Sequence, residues 1–492
     1  MSRLIKGVKK GIKEGMKVIK RTKIVATIGP TSSDEKVLTQ IMKEGVNVVR
    51  LNFSHGEQAE HKILIDLVRS VAEKIQKPVG ILIDLAGPKI RTGEFVGGSV
   101  MLNKGAKIIV TTKKCFGDEK RMFINYPPLT KEIKKGDFIL LDDGNRRLQA
   151  LSVSGDEIVC RIIVGGRIKD RRGVNLPDTD LKISSITKKD EADMAFGVKE
   201  HADYFALSFV RDPKDIVKLR KMLKARGSNA GIIAKIETPQ AVAHIDEIIE
   251  EADGIMVARG DLAIEVSRED VPIIQKDIIE KCNVAGKPVI VATQMLESMI
   301  SSPVPTRAEV SDVANSILDG ADAVMLSQET AFGEFPVEAV KMMANVARHV
   351  ENHYPHRKKI LEDSRLSKEL RIGATADIIT ASAVRVAEHV KAKVIVALTE
   401  SGFTARMVSR YRPTQPILAL SPNHDVIQKM TLHYGCYARH IGHYENIVDS
   451  LDDIRETIIS IGLAKKGDTI VIAAGLPMGQ GGATNMCFVQ KV

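Results

Sequence analysis

Residues 231–237 read Gly-Ile-Ile-Ala-Lys-Ile-Glu: small and branched apolar residues, then a lysine and a glutamate two positions apart. A short apolar run of this kind suits a strand buried on both faces, as in a parallel sheet. Strand residues alternate faces, so Lys235 and Glu237 point to the same side. The pattern recurs at Thr22–Ile28, Asn47–Asn52, Val79–Asp84, Asp203–Ser208, Gly254–Val257, Pro288–Thr293 and Ala323–Ser327. Each run is bounded by turn residues and followed by a helical pattern. Together with the strand at Gly231–Ile236 they make eight, which predicts a closed parallel (β/α)8 TIM barrel.

The ends of these runs carry the second signal. In chain order they present Thr27, Arg50 with Asn52, Asp84, Ser208, Lys235 with Glu237, Arg259 with Asp261, Thr293, and Ser327 with Glu329. One or two polar ends would be ordinary solvation. Eight in series predict a site at the C-terminal mouth of the barrel, where this architecture builds its catalytic centres. The intervening helices carry their own punctuation. Thr306-Arg307-Ala308-Glu309 reads as a capping box, and Asp319-Gly320 as a stop.

The rhythm breaks once. About 120 residues separate the third and fourth runs, filled with short strand patterns and glycine turns. Residues 93–178 are therefore predicted to be an inserted all-β domain placed as a lid at the active-site face. The barrel comprises 21–92 and 179–350. From 355 to 492 alternating strands and amphipathic helices predict a separate C-terminal α/β domain. Its loops SGFTA (401–405) and GLPMGQGG (475–482) could cradle an anion with backbone N–H groups. There is no Walker A loop and no GxGxxG fingerprint, which disfavours a P-loop or Rossmann nucleotide site.

Composition narrows the class further. The chain has 492 residues, long enough for about three domains. No run of eighteen apolar residues appears, so stable membrane insertion is not expected. The five cysteines are scattered without a CxxC pair and read as free thiols of a reducing compartment, in line with a cytoplasmic protein. Of the formal charge of +10, six units belong to residues 1–20. The basic balance is thus largely a tail effect, and with no Trp the chain lacks a nucleic-acid footprint. In that 1–20 extension Val8, Ile12, Met16 and Ile19 fall at helical spacing. A solvated or domain-packing helix is the main expectation. Contact with an anionic membrane or partner surface is the second reading, and a targeting peptide the third, disfavoured by the Lys-rich segment with little Ser or Arg and no long apolar region.

The longer motifs resemble the pyruvate kinase family. They are TKIVATIGP (22–30), VRLNFSHG (49–56), GVNLP (173–177), AKIE (234–237), IMVARGDLA (255–263), ATQMLESM (292–299), PTRAEVSDVANSILDGADAVML (305–326) and SQETAFGEFP (327–336). The resemblance runs from about residue 21 to the end and includes the lid and C-terminal domains in order, and it implies that the lid is a β-barrel. It implies an enzyme of the last step of glycolysis, moving the phosphoryl group of phosphoenolpyruvate to ADP to give pyruvate and ATP. It also implies an allosteric homotetramer.

Residue by residue, the resemblance assigns Glu237 and Asp261 to Mg²⁺, with Mn²⁺ as a substitute. Hard carboxylates with room for substrate oxygens suit such an ion. Lys235 and Arg50 are expected on the phosphoryl group, where charge and bidentate geometry count. Thr293 and Ser327, with Glu329 near, are expected around the enolate. The backbone of Ala258, Arg259 and Gly260 is expected to receive the substrate carboxylate. Thr27, Pro30, Asn52, His55, Arg91 and Arg172 are the nucleotide candidates. Thr399, Ser401, Gly402, Phe403 and Thr404 resemble the phosphate-holding loop of an effector site. Glu400 stands where some fructose-bisphosphate-responsive members carry lysine, so a sugar monophosphate or AMP is the expected effector.

One departure concerns potassium. Members that need K⁺ carry Thr after the third-strand aspartate and Glu after Gly-Pro. Here the segment is Asp84-Leu85-Ala86-Gly87-Pro88-Lys89. In the region of Asn52, Ser54 and Asp84, Leu85 removes a hydroxyl and Lys89 supplies a tethered ammonium. The expectation is K⁺-independent activity. Other barrel lyases acting on phosphoenolpyruvate share strand-end metal ligands. They lack the need for a lid, for Arg91 and His55 on the nucleotide side, or for an effector domain. A catalytically dead relative would have lost one of the key charges, and all are present.

Overall fold

A computed structural model describes residues 19–354, 374–478 and 484–492. Val8, Ile12 and Met16, the expected domain boundary near 355 and the Gly-Gln-Gly-Gly part of the 475–482 loop lie outside the described residues.

The barrel strands are Lys23–Thr27, Val48–Asn52, Gly80–Asp84, Tyr204–Leu207, Gly231–Ile236, Gly254–Ala258, Val289–Ala292 and Ala323–Leu326. They close in sequence order, the first pairing with the eighth, and every pairing is parallel. Several strands are a residue or two shorter than the apolar runs suggest. The trimmed residues are largely polar ones that leave the ladder to do other work. At the N-terminal end Asn47, Asp203, Asp253 and Asp322 each stand just before an even-numbered strand. Their side chains accept the N–H groups of Ile24 (3.1 Å), Ile81 (2.7 Å), Ile232 (2.8 Å) and Val289 (3.1 Å) on the preceding odd-numbered strand. Each satisfies a backbone donor at the point where the ladder begins. The barrel floor is thus a four-fold repeat of one polar device.

Asp203 offers the test of that device. Burial, opposed by the Ile81 N–H bond and Arg69, pushes its carboxyl up to about 7. A raised native pKa gives stability that is present below the unfolded carboxylate range and is lost as pH rises towards 7. Asn47 fills the same role with a neutral amide. Asp203→Asn is therefore expected to flatten the pH dependence. The variant should match the wild type near pH 4 and melt higher above pH 7. Thermal midpoints across that range check it, and parallel curves would contradict it.

Inside the barrel Val25, Val48, Leu82, Tyr204, Ala206, Ile233, Met256, Ile290 and Met325 form a buried plug, completed at the floor by Leu432 of the C-terminal domain. A second shell of apolar residues joins the strands to the surrounding helices. Thr306 caps the Arg307–Asp319 helix in a reciprocal box with Glu309, and Gly320 ends it in the left-handed conformation. Both features follow the sequence reading.

The inserted strands form a six-stranded sheet and a two-stranded ribbon about a core of their own. Their ladder does not close on itself as the eight-stranded parallel barrel does. The C-terminal domain is a five-stranded sheet. Cys436–His440, Ile417–Ser421, Val394–Leu398 and Thr469–Ala474 are parallel in that order, and Met486–Lys491 pairs antiparallel at the edge. It docks under the barrel, where Arg412 grips Asp322 at 2.9 and 2.8 Å and Tyr204 Oη donates to the Lys429 carbonyl at 2.5 Å. Among the described residues no helix is long and apolar enough to cross a membrane.

Candidate active site

The polar strand ends meet at the opposite mouth. Lys235 is buried at the end of the fifth strand. Its Nζ lies 2.9 Å from Glu237 and 3.3 Å from Asp84, and donates to Ser208 Oγ at 2.8 Å. Burial works against this charge, but Asp84, Glu237 and Asp261 outweigh it and hold the ammonium above the ordinary lysine range. Arg50, from the second strand, grips Asp84 with Nε at 2.7 Å and Nη2 at 2.6 Å. Its Nη1 donates to Thr27 Oγ1 at 2.8 Å. Asp84 is buried, which alone would raise its carboxyl; Lys235 and Arg50 reverse that and lower it. Two fixed cations and a permanent carboxylate thus share one buried network.

Glu237 accepts the Phe209 N–H at 2.7 Å with the oxygen that Lys235 does not use. Burial raises its carboxyl against the pull of Lys235, and Asp261 adds to the rise. Asp261 sits in the first turn of the Arg259–Glu265 helix. No hydrogen bond or ion pair within the protein engages it among the described residues. None of these residues form a group of three or more His, Cys, Asp or Glu side chains able to hold an ion alone. An unengaged carboxylate beside one under electrostatic strain fits a hard cation whose remaining ligands come from substrate and water.

The seventh strand ends in a strained loop. Thr293 has φ of +70°, rare for a β-branched residue and worth on the order of 1–3 kcal/mol of strain. Its hydroxyl accepts the Gly260 N–H at 2.7 Å and donates to the Ala292 carbonyl at 2.6 Å. The Arg259 guanidinium holds the turn by donating to the Thr293 carbonyl at 2.8 Å, while Asp312 anchors it at 2.7 Å. Arg259 contributes a clamp, and Gly260 and Asp261 face the mouth. Ser327 Oγ is buried with no hydrogen-bond partner. Glu329 is only 2% exposed, and both its oxygens are taken by backbone N–H groups of Leu296 (3.1 Å) and Ser327 (2.7 Å). Its position is that of a brace between the two loops.

A cleft of about 300 Å³ opens between this mouth and the lid, lined by Lys89, Arg91, Arg172 and Asp261 among others. Arg91 Nη1 donates to the Arg171 carbonyl at 3.0 Å, and Arg172 Nε lies 3.5 Å from Asp142. Lys89 is exposed at the rim. Partial burial, Arg91 and Lys235 lower its pKa, and Asp84 and Asp261 oppose them. Leu85 is fully buried. His55 is exposed and its pKa is lowered by partial burial, Lys89, Arg91 and Arg50. Asn52 Oδ1 accepts the Ser54 N–H at 3.2 Å, and Pro30 is exposed.

Thr399, Ser401, Gly402, Phe403 and Thr404 lie apart, in the C-terminal domain. Gly402, at φ of +84°, starts the Phe403–Ser409 helix, and Thr404 Oγ1 is 2.8 Å from Thr484 Oγ1. Three features escaped the sequence reading of the site. Ser208 had been noted only as a strand end, yet it is a direct partner of Lys235. Arg171 lines the cleft beside Arg172. Glu265 meets Asn175 across the lid boundary at 2.7 Å; no spacing in the sequence joins residues ninety positions apart.

The chain resembles known proteins over nearly its whole length. The family model described as pyruvate kinase, barrel domain, matches residues 19–340, and that described as pyruvate kinase, alpha/beta domain, matches 377–490. A pyruvate kinase of Staphylococcus haemolyticus is 44% identical over 96% of this chain and 81% of its own length. That of Clostridium acetobutylicum is 41% identical over 96% of this chain and all of its own. The crystal structure of a pyruvate kinase from Cryptosporidium parvum superposes with a TM-score of 0.91 at 35% identity, covering 97% of this chain and 99% of the other.

Proposed function

This chain belongs to the pyruvate kinase family, an enzyme family of phosphotransferases, and from that premise we propose that it transfers the phosphoryl group of phosphoenolpyruvate to ADP at the C-terminal mouth of its barrel. The observation that carries the reading is the buried network of Lys235, Arg50, Asp84 and Glu237, with Asp261 unengaged beside it. Phosphoryl transfer asks for positioned charge more than for covalent chemistry.

In this reading Glu237 and Asp261 hold Mg²⁺, or Mn²⁺ in its place. When bound, that ion supplies charge neutralisation between the enol carboxylate and the phosphoryl oxygens. Lys235 and Arg50 hold and stabilise the phosphoryl group in flight. The backbone of Ala258, Arg259 and Gly260 receives the substrate carboxylate. Thr293 and the unpartnered Ser327 hydroxyl border the enolate, where a proton must arrive at carbon to give pyruvate. Glu329 fixes both loops from behind. Thr27, Pro30, Asn52, His55, Arg91 and Arg172 form the nucleotide side, with the lid excluding water.

Lys89 replaces the monovalent cation that the Asn52, Ser54, Asp84 and Leu85 region would otherwise need. Its electrostatic coupling to Asp84 and Asp261 supports this role. The C-terminal loop Thr399 to Thr404 binds a phosphorylated effector, a sugar monophosphate or AMP, in a cytoplasmic homotetramer. The test is pyruvate formation followed through a coupled dehydrogenase, in KCl and in tetramethylammonium chloride. Equal rates are expected in the two salts. Rates rising more than about tenfold with K⁺, a change of roughly 1.4 kcal/mol in the barrier, would refute the Lys89 assignment.

A further inference from the structure

The lid touches the catalytic barrel at the far end of the helix that presents Asp261. Arg259–Glu265 is seven residues long, a rod of roughly 10 Å. Asp261 lies in its first turn and Glu265 is its last residue. Glu265 Oε1 accepts the Nδ2–H of Asn175 at 2.7 Å. Asn175 closes the short strand Val174–Asn175, which pairs with Leu140–Leu141 of the lid sheet. A second contact lies beside it. Gly144, in the turn between two lid strands, has φ of +78°, and a Cβ built there would sit 3.6 Å from the Ile264 γ2 methyl. Asn175, Ile264 and Glu265 line the cleft of Lys89, Arg91 and Arg172.

We propose that the Asn175–Glu265 hydrogen bond is a latch that sets the angle of the lid over the cleft, making Glu265 a positioning residue for the nucleotide side. The proposal rests on the reading of that cleft as the ADP site. One short rigid helix then carries the metal-side carboxylate at one end and the lid contact at the other, so the two halves of the site share a frame. Burial pushes the Glu265 carboxyl up to about 7 against the pull of the Asn175 bond, with Asp261, Asp178 and Glu237 adding to the rise. The latch therefore tolerates a neutral side chain that still accepts a hydrogen bond.

The experiment uses the full chain and four variants: Glu265→Ala, Asn175→Ala, the double variant, and Glu265→Gln. Hydrogen exchange of the free protein reports lid attachment, and ADP and phosphoenolpyruvate saturation report function. Both alanine variants should exchange faster around Val174–Leu176. Each should raise KM for ADP about tenfold, the upper worth of one ordinary hydrogen bond, with kcat and KM for phosphoenolpyruvate nearly unchanged. The double variant should be no worse than the worse single one, and Glu265→Gln should behave as wild type. Unchanged exchange in both single variants, or additive losses in the double one, would overturn the latch. If Glu265→Ala fails to fold, Asn175→Ala on the lid side carries the same comparison. Exchange around Val174–Leu176 that quickens in both alanine variants of a chain that makes no pyruvate would refute the reaction and uphold the latch.

Discussion

Lys235→Met should lower kcat by roughly a thousandfold while the chain stays folded. The ammonium is the cation proposed to stabilise the moving phosphoryl group, and it lies 2.9 Å from Glu237 and 3.3 Å from Asp84. Removing one preorganised donor of this kind typically costs 10²–10³ in kcat, about 2.7–4 kcal/mol. A second effect accompanies it. Asp84, Glu237 and Asp261 lose their common counter-charge in a buried site, and breaking a buried pair by deleting one partner costs roughly 3–5 kcal/mol of stability. Arg50 still holds Asp84 and limits the damage. Circular dichroism and denaturation midpoints separate the two effects. A folded variant with wild-type kcat would remove Lys235 from the mechanism.

Glu237→Gln attacks the other half of the site. The amide still accepts the Phe209 N–H, so the loop geometry survives. What is lost is one of two carboxylates available to a divalent ion. Outer-shell changes already weaken metal sites by about 10–100-fold, so loss of a direct ligand should raise the half-saturating Mg²⁺ concentration at least that much. Binding of Mn²⁺ followed by electron spin resonance reads this without turnover. Asp261→Asn should weaken Mn²⁺ similarly while leaving the Lys235 to Asp84 pair in place. Wild-type Mn²⁺ affinity in both variants would move the metal elsewhere.

The barrel was legible because parallel strands buried on both faces leave continuous apolar runs, and Gly231–Ile236 matches its run residue for residue. Where strands proved shorter, the reason is the polar work of Asp203 and Asn47 at the floor and of Ser208 and Thr293 at the mouth. In the C-terminal domain the strands Cys436–His440 and Met486–Lys491 carry no continuous apolar run. Both lie at sheet edges, where partial exposure admits Arg439, His440, Gln490 and Lys491 and blurs the apolar pattern. Within the site, Lys235 and Glu237 were visible from strand alternation alone. The brace made by Glu329 was not, since its oxygens point to backbone groups that no motif names. The latch at Glu265 escaped for a related reason: long-range side-chain pairs leave no periodicity.

The central claim is that the strand-end network moves a phosphoryl group from phosphoenolpyruvate to ADP. Phosphorus NMR of the purified chain with both substrates and Mg²⁺ tests it directly. The account predicts loss of the phosphoenolpyruvate resonance matched by the β- and γ-phosphate signals of ATP, at a rate collapsing in Lys235→Met. Phosphoenolpyruvate consumed with free phosphate as the product, or ATP formed equally fast by Lys235→Met, would contradict it.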